Sequence, residues 1–394
     1  MNHSKLKSHY WKFAFAGYGC LLIGLGINRF AYTPLIPALI SQGWLTTSGA
    51  SYVGAINFLG YFLGAYLGQR ATLYFPISKL VKISLIVSIV ALALSAINFG
   101  YLWFTIWRFI LGLTGALLMV LTPSAILKNI PLDFRSRSNG LMFSGIGTGI
   151  IISGFFLPYF AMNINISAAW LAGCVIAVFI TFFSWSSISK QTPSVSIAIP
   201  SEKSDHPREF LLFTIAYSLF AIGVIPHTLF LVDYVHQQLG FNEVTSGLFW
   251  VLYGVGAIIG PFFSGFITDE IGIYKSLVGS YIISCIGIIM ILFNHITIFY
   301  ITSSFIMGLI LPTIVGLTSA RILEIFGAEA HPKFWGKITL YFAISQVIGA
   351  YIMSYILHLG YDYTFCFMIS AIALICSLIV ISFAKNKKNI SSSY

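Results

Sequence analysis

The chain has 394 residues, 58% of them apolar and only 8% charged, against roughly 25% charged in a soluble domain. A water-soluble globule of that makeup could not cover its surface with polar groups, so lipid is the expected solvent. The formal charge of +10 is spread through loops beside apolar runs, which fits anionic headgroups and topology control and argues against nucleic acid.

In chain order the apolar segments run roughly over 13–40, 46–69, 79–97, 101–127, 138–161 and 167–188. They resume roughly at 210–234, 245–268, 276–293, 296–321, 335–357 and 362–384, each near the ~20 residues a bilayer demands. The expected fold is therefore an all-α, polytopic membrane protein of twelve transmembrane helices. The amino-terminal lysines are followed by an apolar run that passes Pro34 without a small-residue cleavage site, so the first segment reads as a retained span and not as a signal peptide.

Apart from Arg29 and Arg108, every lysine and arginine lies in gaps on one side of this ladder. Lys5, Lys7 and Lys12 precede segment one; Arg70, Lys79 and Lys82 follow segment two; Lys128, Arg135 and Arg137 follow segment four. Lys190, Lys203 and Arg208 lie in the central gap and Lys275 follows segment eight. Arg321, Lys333 and Lys337 follow segment ten, and Lys385, Lys387 and Lys388 close the chain. The positive-inside rule then predicts both termini in the cytoplasm and a multi-pass protein of the bacterial inner membrane.

The polar stretch 189–209, rich in Ser, Pro and mixed charge, reads as a cytoplasmic linker between an amino-terminal six-helix bundle (1–188) and a carboxy-terminal one (210–394). The halves echo each other: GYFLGAYLGQR at Gly60–Arg70 answers GPFFSGFITDE at Gly260–Glu270. Repeats of this kind are how many transporters build two bundles around a central site. The five cysteines lie within apolar segments with no CxxC pair or Cys/His cluster, so neither a disulfide framework nor a zinc site is implied.

Several stretches resemble the major facilitator superfamily (MFS), and within it the YbfB/YjiJ-type branch. They are GINRFAYTPLIPAL (Gly26–Leu39), SYVGAINFLGYFLGA (Ser51–Ala65), WRFILGLTGALLMVLTPSAI (Trp107–Ile126) and PHTLFLVDYV (Pro226–Val235). WVLYGVGAIIGPFFSGFITDEIG (Trp250–Gly272) and YFAISQVIGAY (Tyr341–Tyr351) continue the likeness. The resemblance implies the MFS fold and alternating access. It also implies a gating signature after segment eight, here Gly265, Asp269, Glu270, Gly272 and Lys275, with Glu270 where the superfamily has arginine. The first-half copy keeps Gly64, Gly68 and Arg70 but has no aspartate before the arginine.

The candidate site starts from two arginines inside segments, because such a charge costs about 2.5–3.5 kcal/mol at a bilayer centre and so faces a cavity, a partner or a substrate. Arg29 lies about 16 residues into its segment and Arg108 about 6 residues into an oppositely running one, so both reach loosely similar depths. If both face a central cavity they form an anion clamp, since guanidinium grips carboxylate or phosphate bidentately and stays charged. Arg108, with Gly112 and Gly115 behind it, also resembles a generic superfamily signature. Asn28, Tyr32 and Thr33 supply donors beside Arg29, while Pro34 and Pro37 break the segment's outer end. His227, near the repeat equivalent of Asn28, is either a proton carrier or a core histidine bonded to a carbonyl. Asp233, roughly 240° further round the helix, is either a proton carrier or an interfacial acid. Asn57 and Gln346 are cavity liners or interhelical hydrogen bonds, and Asp269 belongs to the gate.

Without a nucleophile–base pair, metal cluster or phosphate loop, the chain is not expected to be an enzyme or to need a cofactor. The expected function is secondary active transport of a small organic anion, a carboxylate metabolite or carboxylate-rich chelate, with possible coupling to protons. The expected partners are that small molecule and the bilayer, with no obligate protein partner. The competing reading is a proton-driven exporter of lipophilic compounds, which would want a buried acid in the first half, where none is evident.

Overall fold

The computed structural model describes residues 3–127, 130, 132–188, 207–293 and 296–384. These are helical with no strand among them, as the bilayer requires of a chain that must satisfy its own backbone polar groups. Eleven helices are long and apolar enough to cross a membrane: Thr47–Gly68, Ile77–Ser95, Tyr101–Ile126, Ser138–Asn163, Ile166–Trp185, Pro207–Gln238, Glu243–Ile271, Ile273–Ile291, Thr297–Gly327, Lys333–His358 and Tyr363–Ser382. We number them spans two to twelve. Span one is a broken helix: Trp11–Ile27, then a turn, a short 3-10 turn Thr33–Leu35 and a helix Ile36–Ser41. The expected linker at 189–206 lies outside the described residues, and span seven already begins at Pro207.

Side chains cap four of the helices that start on the face opposite the termini, spans two, six, eight and twelve. Thr46, Asn165, Asn242 and Asp362 each accept a backbone N–H three residues on, at 2.8–3.1 Å, which satisfies a donor the helix cannot. Spans ten and eleven form one helical path interrupted only at Gly327, whose φ of 74° belongs to the left-handed region open to glycine. The gap expected there is therefore itself largely helical.

Spans one and seven, the first of each half, break at corresponding depths. Span one passes into a π-helix at Leu22–Ile27 and a turn over 28–32. Span seven passes into π-helices at Pro226–Phe230 and Tyr234–Gln238. Each break releases carbonyls and widens the turn, and the two breaks touch: Thr33 Oγ1 donates to the Thr228 carbonyl at 2.6 Å.

Contacts between the halves gather on the face opposite the termini. There Ser41 reaches Glu243 at 3.4 Å, and Tyr52 packs its ring 6.2 Å from Tyr351 and 6.4 Å from His358. Spans five and eight approach so closely that a Cβ on Gly247 would stand 2.5 Å from the Gly154 carbonyl oxygen. Towards the termini a Cβ on Gly140 of span five or on Gly265 of span eight would meet nothing within 4 Å. Phe262, Phe263, Phe266 and Ile267 of span eight are exposed, as are Asp269 and Glu270, more of the helix circumference than one lipid-facing stripe occupies. The molecule is closed on one face and parted on the other.

Candidate functional site

Three arginines are buried among the described residues, and each resolves its charge differently. Arg321, near the terminus-side end of span ten, forms an ion pair with Glu324 at 2.5 Å. Arg108 of span four turns into the first half. Its Nη1 donates to the Asn28 carbonyl at 2.9 Å and its Nη2 to the Arg29 carbonyl at 3.4 Å, oxygens at the turn that follows span one's π-helix. The rings of Tyr32 and Trp170 cover it, with centroids at 4.5 and 5.6 Å. Arg29 has neither a carboxylate nor a backbone carbonyl as partner among the described residues. Its Nη2 donates to Gln346 Oε1 at 2.9 Å, and its Nε is buried without a partner.

The two arginines therefore do not form the expected clamp. Arg108 props the break from behind, and Arg29 is what the break presents between the halves. The other first-half candidates belong to the prop. Asn28 Nδ2 donates to Ser88 at 2.7 Å and to Thr114 at 3.2 Å. Tyr32 donates to the Ala50 carbonyl at 2.7 Å, and Asn57 Nδ2 to the Arg108 carbonyl at 2.8 Å. These bonds fix the direction in which Arg29 leaves the turn, a positioning role.

His227 does the same service for span seven. Ser303 spends its proton on the Gly287 carbonyl at 2.6 Å and so accepts from His227 Nε2 at 2.8 Å. That places the proton on Nε2 and leaves Nδ1 a buried acceptor without a partner. The ring packs edge-on to Phe367 at 5.2 Å. Asn28 and His227 thus pin equivalent breaks to the body of their own halves.

Asp233 is buried, with Tyr363 donating to its Oδ2 and Oδ1 left without a partner. No cation pairs with it among the described residues. Its turn packs against Thr33–Leu35 and Ile36–Ser41 of span one, on the closed face. Asp269, near the end of span eight, is exposed and has no ion pair among the described residues.

Around Arg29 the structure gathers side chains that sequence reasoning passed over. Its guanidinium carbon lies 4.5 Å from the ring centroid of Phe58, 4.9 Å from Tyr61 and 5.3 Å from Phe30. Span eight contributes Trp250 and Tyr253, stacked at 4.9 Å with 14° between planes, and Phe30 meets Trp250 edge-on at 5.9 Å. Trp250 Nε1, Tyr253 Oη and Gln346 Nε2 join Arg29 Nε as buried atoms without partners, although buried polar groups in proteins are nearly always satisfied. The i, i+3 spacing of Phe58–Tyr61 and of Trp250–Tyr253 was the available signal, since it sets each pair on one helix face. A cavity of ≈ 440 Å³ nearer the termini, lined by Phe210, Leu211, Thr214, Ile215 and Tyr341 among others, is apolar and shares no residue with this cluster.

Comparison with known proteins agrees with this architecture. The family described as "Uncharacterised MFS-type transporter YbfB" matches residues 21–382. The sialic acid transporter NanX of Escherichia coli is 22% identical over 255 residues, 61% of this chain and 61% of its own length. The niacin transporter NiaP of Acinetobacter baylyi is 25% identical over 247 residues, 62% of this chain and 54% of its own. The matches thus span less than two thirds of either relative. Among solved structures, a D-xylose–proton symporter superposes with a TM-score of 0.76 at 13% identity, covering 94% of this chain and 96% of its own. The nucleoside transporter NupG, as a point mutant, gives 0.74 at 10% identity, covering 94% and 100%. At those identities the likeness is one of fold. Family and relatives are transporters and not enzymes.

Proposed function

We propose that this chain, which belongs to the YbfB-type family of MFS transporters, moves a small organic anion across the bacterial inner membrane by alternating access. Arg29 is the receptor for the anion. The observation that carries this reading is a guanidinium buried between the two halves with one amide oxygen as its hydrogen-bond partner and no carboxylate beside it among the described residues. A charge held in that state is strongly disfavoured unless something neutralises it during the working cycle. A carboxylate guest supplies the missing counter-charge in the bidentate geometry guanidinium prefers. Two relatives are named for sialic acid and niacin, cargos that ionise to carboxylates. A lipophilic cation would have to sit beside Arg29, which disfavours the exporter reading.

The parted face carries the termini, and by the positive-inside rule that face is cytoplasmic, so this conformation is the inward-facing one. The cycle closes it and opens the opposite face, breaking the Gly154–Gly247 contact and freeing Asp233. Asp233 is the proton carrier in this scheme: a buried acid bonded to Tyr363, without an ion pair among the described residues and at the contact that must part, meets outside water only when that face opens.

The test is uptake and efflux of carboxylates in proteoliposomes carrying the wild type, Arg29→Lys or Arg29→Ala. Loss of carboxylate exchange in the alanine variant, with partial retention in the lysine variant, is expected. Wild-type exchange by both removes the anion receptor from this residue.

A further inference from the structure

Resting on the anion reading, we propose that the guest is a planar aromatic carboxylate, its ring held between the aromatic groups of the two halves and its carboxylate on Arg29. Two independent observations meet here. The first is the ring geometry. Phe30, Phe58 and Tyr61 come from the first half and surround the guanidinium at 4.5–5.3 Å; the stacked Trp250–Tyr253 pair comes from the second. The halves touch through rings at this depth, Phe30 against Trp250 at 5.9 Å and 62°. A guest that enters between them as they part replaces ring–ring contacts. A flat ring restores them on both sides, and a puckered aliphatic body cannot.

The second observation is the unused hydrogen-bonding capacity. Arg29 Nε, Trp250 Nε1, Tyr253 Oη and Gln346 Nε2 all carry hydrogens, and none has an acceptor. The missing partner is therefore rich in acceptor positions, and a carboxylate offers about four lone-pair sites with no donor of its own. A neutral amide brings two donors into a cluster already crowded with them. Rings select the body and orphan donors select the head, so the site discriminates on planarity and on charge separately.

The experiment is calorimetric titration of the purified full-length carrier in detergent with benzoate, cyclohexanecarboxylate and benzamide. The first two share charge and approximate size and differ in flatness; the first and third share the ring and differ in charge. Benzoate is expected to bind roughly tenfold tighter than cyclohexanecarboxylate, which is what one to two aromatic contacts supply, and benzamide is expected not to bind measurably. Phe58→Leu, an apolar replacement that keeps the fold, should bring the two acids within about threefold. Equal affinity for both acids in the wild type overturns the aromatic proposal and leaves the anion reading standing. Equal affinity for benzoate and benzamide overturns the anion reading itself. Failure of both acids to bind a carrier that still melts cooperatively overturns both readings.

Discussion

The Arg29–Gln346 hydrogen bond crosses from one half to the other, and changing a single atom in it tests the role assigned to the guanidinium. Gln346→Glu is isosteric and sets a carboxylate oxygen where Gln346 Oε1 now accepts from Arg29 Nη2 at 2.9 Å. Two unit charges at that distance, in an effective dielectric of ~20, attract by about 6 kcal/mol before desolvation. Were only half of that, about 3 kcal/mol, to survive desolvation, a guest competing for the same guanidinium would bind roughly 150-fold more weakly. Gln346→Ala is the control. It removes one hydrogen bond to a charged group, about 1.5–3 kcal/mol of stability, and leaves Arg29 unoccupied, so carboxylate affinity should stay within about tenfold of wild type. The assay pairs calorimetric titration of a bound acid with thermal unfolding of the same preparation. The glutamate variant should melt no lower than wild type and have lost the acid; the alanine variant should melt lower and have kept it. A glutamate variant that binds the acid within threefold of wild type would refute the reasoning, because an internal carboxylate on Arg29 would then be irrelevant to cargo.

Other expectations follow from the same geometry. Arg108→Lys keeps the charge but cannot span two carbonyls, so it should lower thermal stability by about 1.5–3 kcal/mol while leaving acid affinity nearly unchanged; selective loss of affinity without loss of stability would return Arg108 to the cargo. Asp233→Asn can keep a bond to Tyr363 but cannot exchange a proton, so proteoliposomes should retain cargo counterflow and lose accumulation driven by an imposed pH gradient. Unaltered gradient-driven accumulation would remove Asp233 from coupling. His227→Gln retains a donor for Ser303 and should leave both assays and their pH profiles as in wild type, whereas a shifted pH profile would make His227 more than a pin. Gly247→Val places side-chain carbon where the Gly154 carbonyl stands, 2.5 Å from a Cβ, and should hold the face opposite the termini open. A cysteine at Tyr52 would then react faster with a membrane-impermeant thiol reagent added to that side, and unchanged labelling would show that the glycine contact does not set the closed state.

Much of the architecture was legible because the bilayer reduces it to a length rule. A stretch of about 20 apolar residues has one structural outcome, so the expected segments agree with the observed spans to within a few residues at most ends, Pro207–Gln238 being the longest extension. The breaks were partly legible. Pro226 opens span seven's first π-helix, as its ring predicts. Span one instead breaks at Leu22–Ile27, before Pro34 and Pro37, through a run that contains glycines and no proline. What could not be read was facing. Lipid is as apolar as the protein interior, so a membrane helix gives no contrast between the face towards lipid and the face towards a neighbour. Phe58, Tyr61, Trp250 and Tyr253 are four aromatics among the 16% of the chain that is aromatic, and nothing in their type sets them round a cation.

The two intramembrane arginines show what decides such a case. Both were candidates on the same ground, an expensive charge in a span, and depth alone could not separate them. The difference lies in the oxygens each finds at home. Arg108 meets the Asn28 and Arg29 carbonyls, which the span-one break turns towards it, and so its donors go to the fold. No residue type announces a freed carbonyl, because every residue has one and only the local winding decides whether a backbone N–H takes it. Arg29 leaves that same break on the other side and finds a single side-chain amide across the gap between the halves. Breaking the helix therefore does two things at once: it creates the acceptors that hold one arginine still, and it turns Arg29 out to where Gln346 is its hydrogen-bond partner and its Nε has none. The anchoring of Arg108 and the availability of Arg29 are consequences of one turn of backbone, so a substitution that restores regular α-helix across Leu22–Ile27 should disable both together.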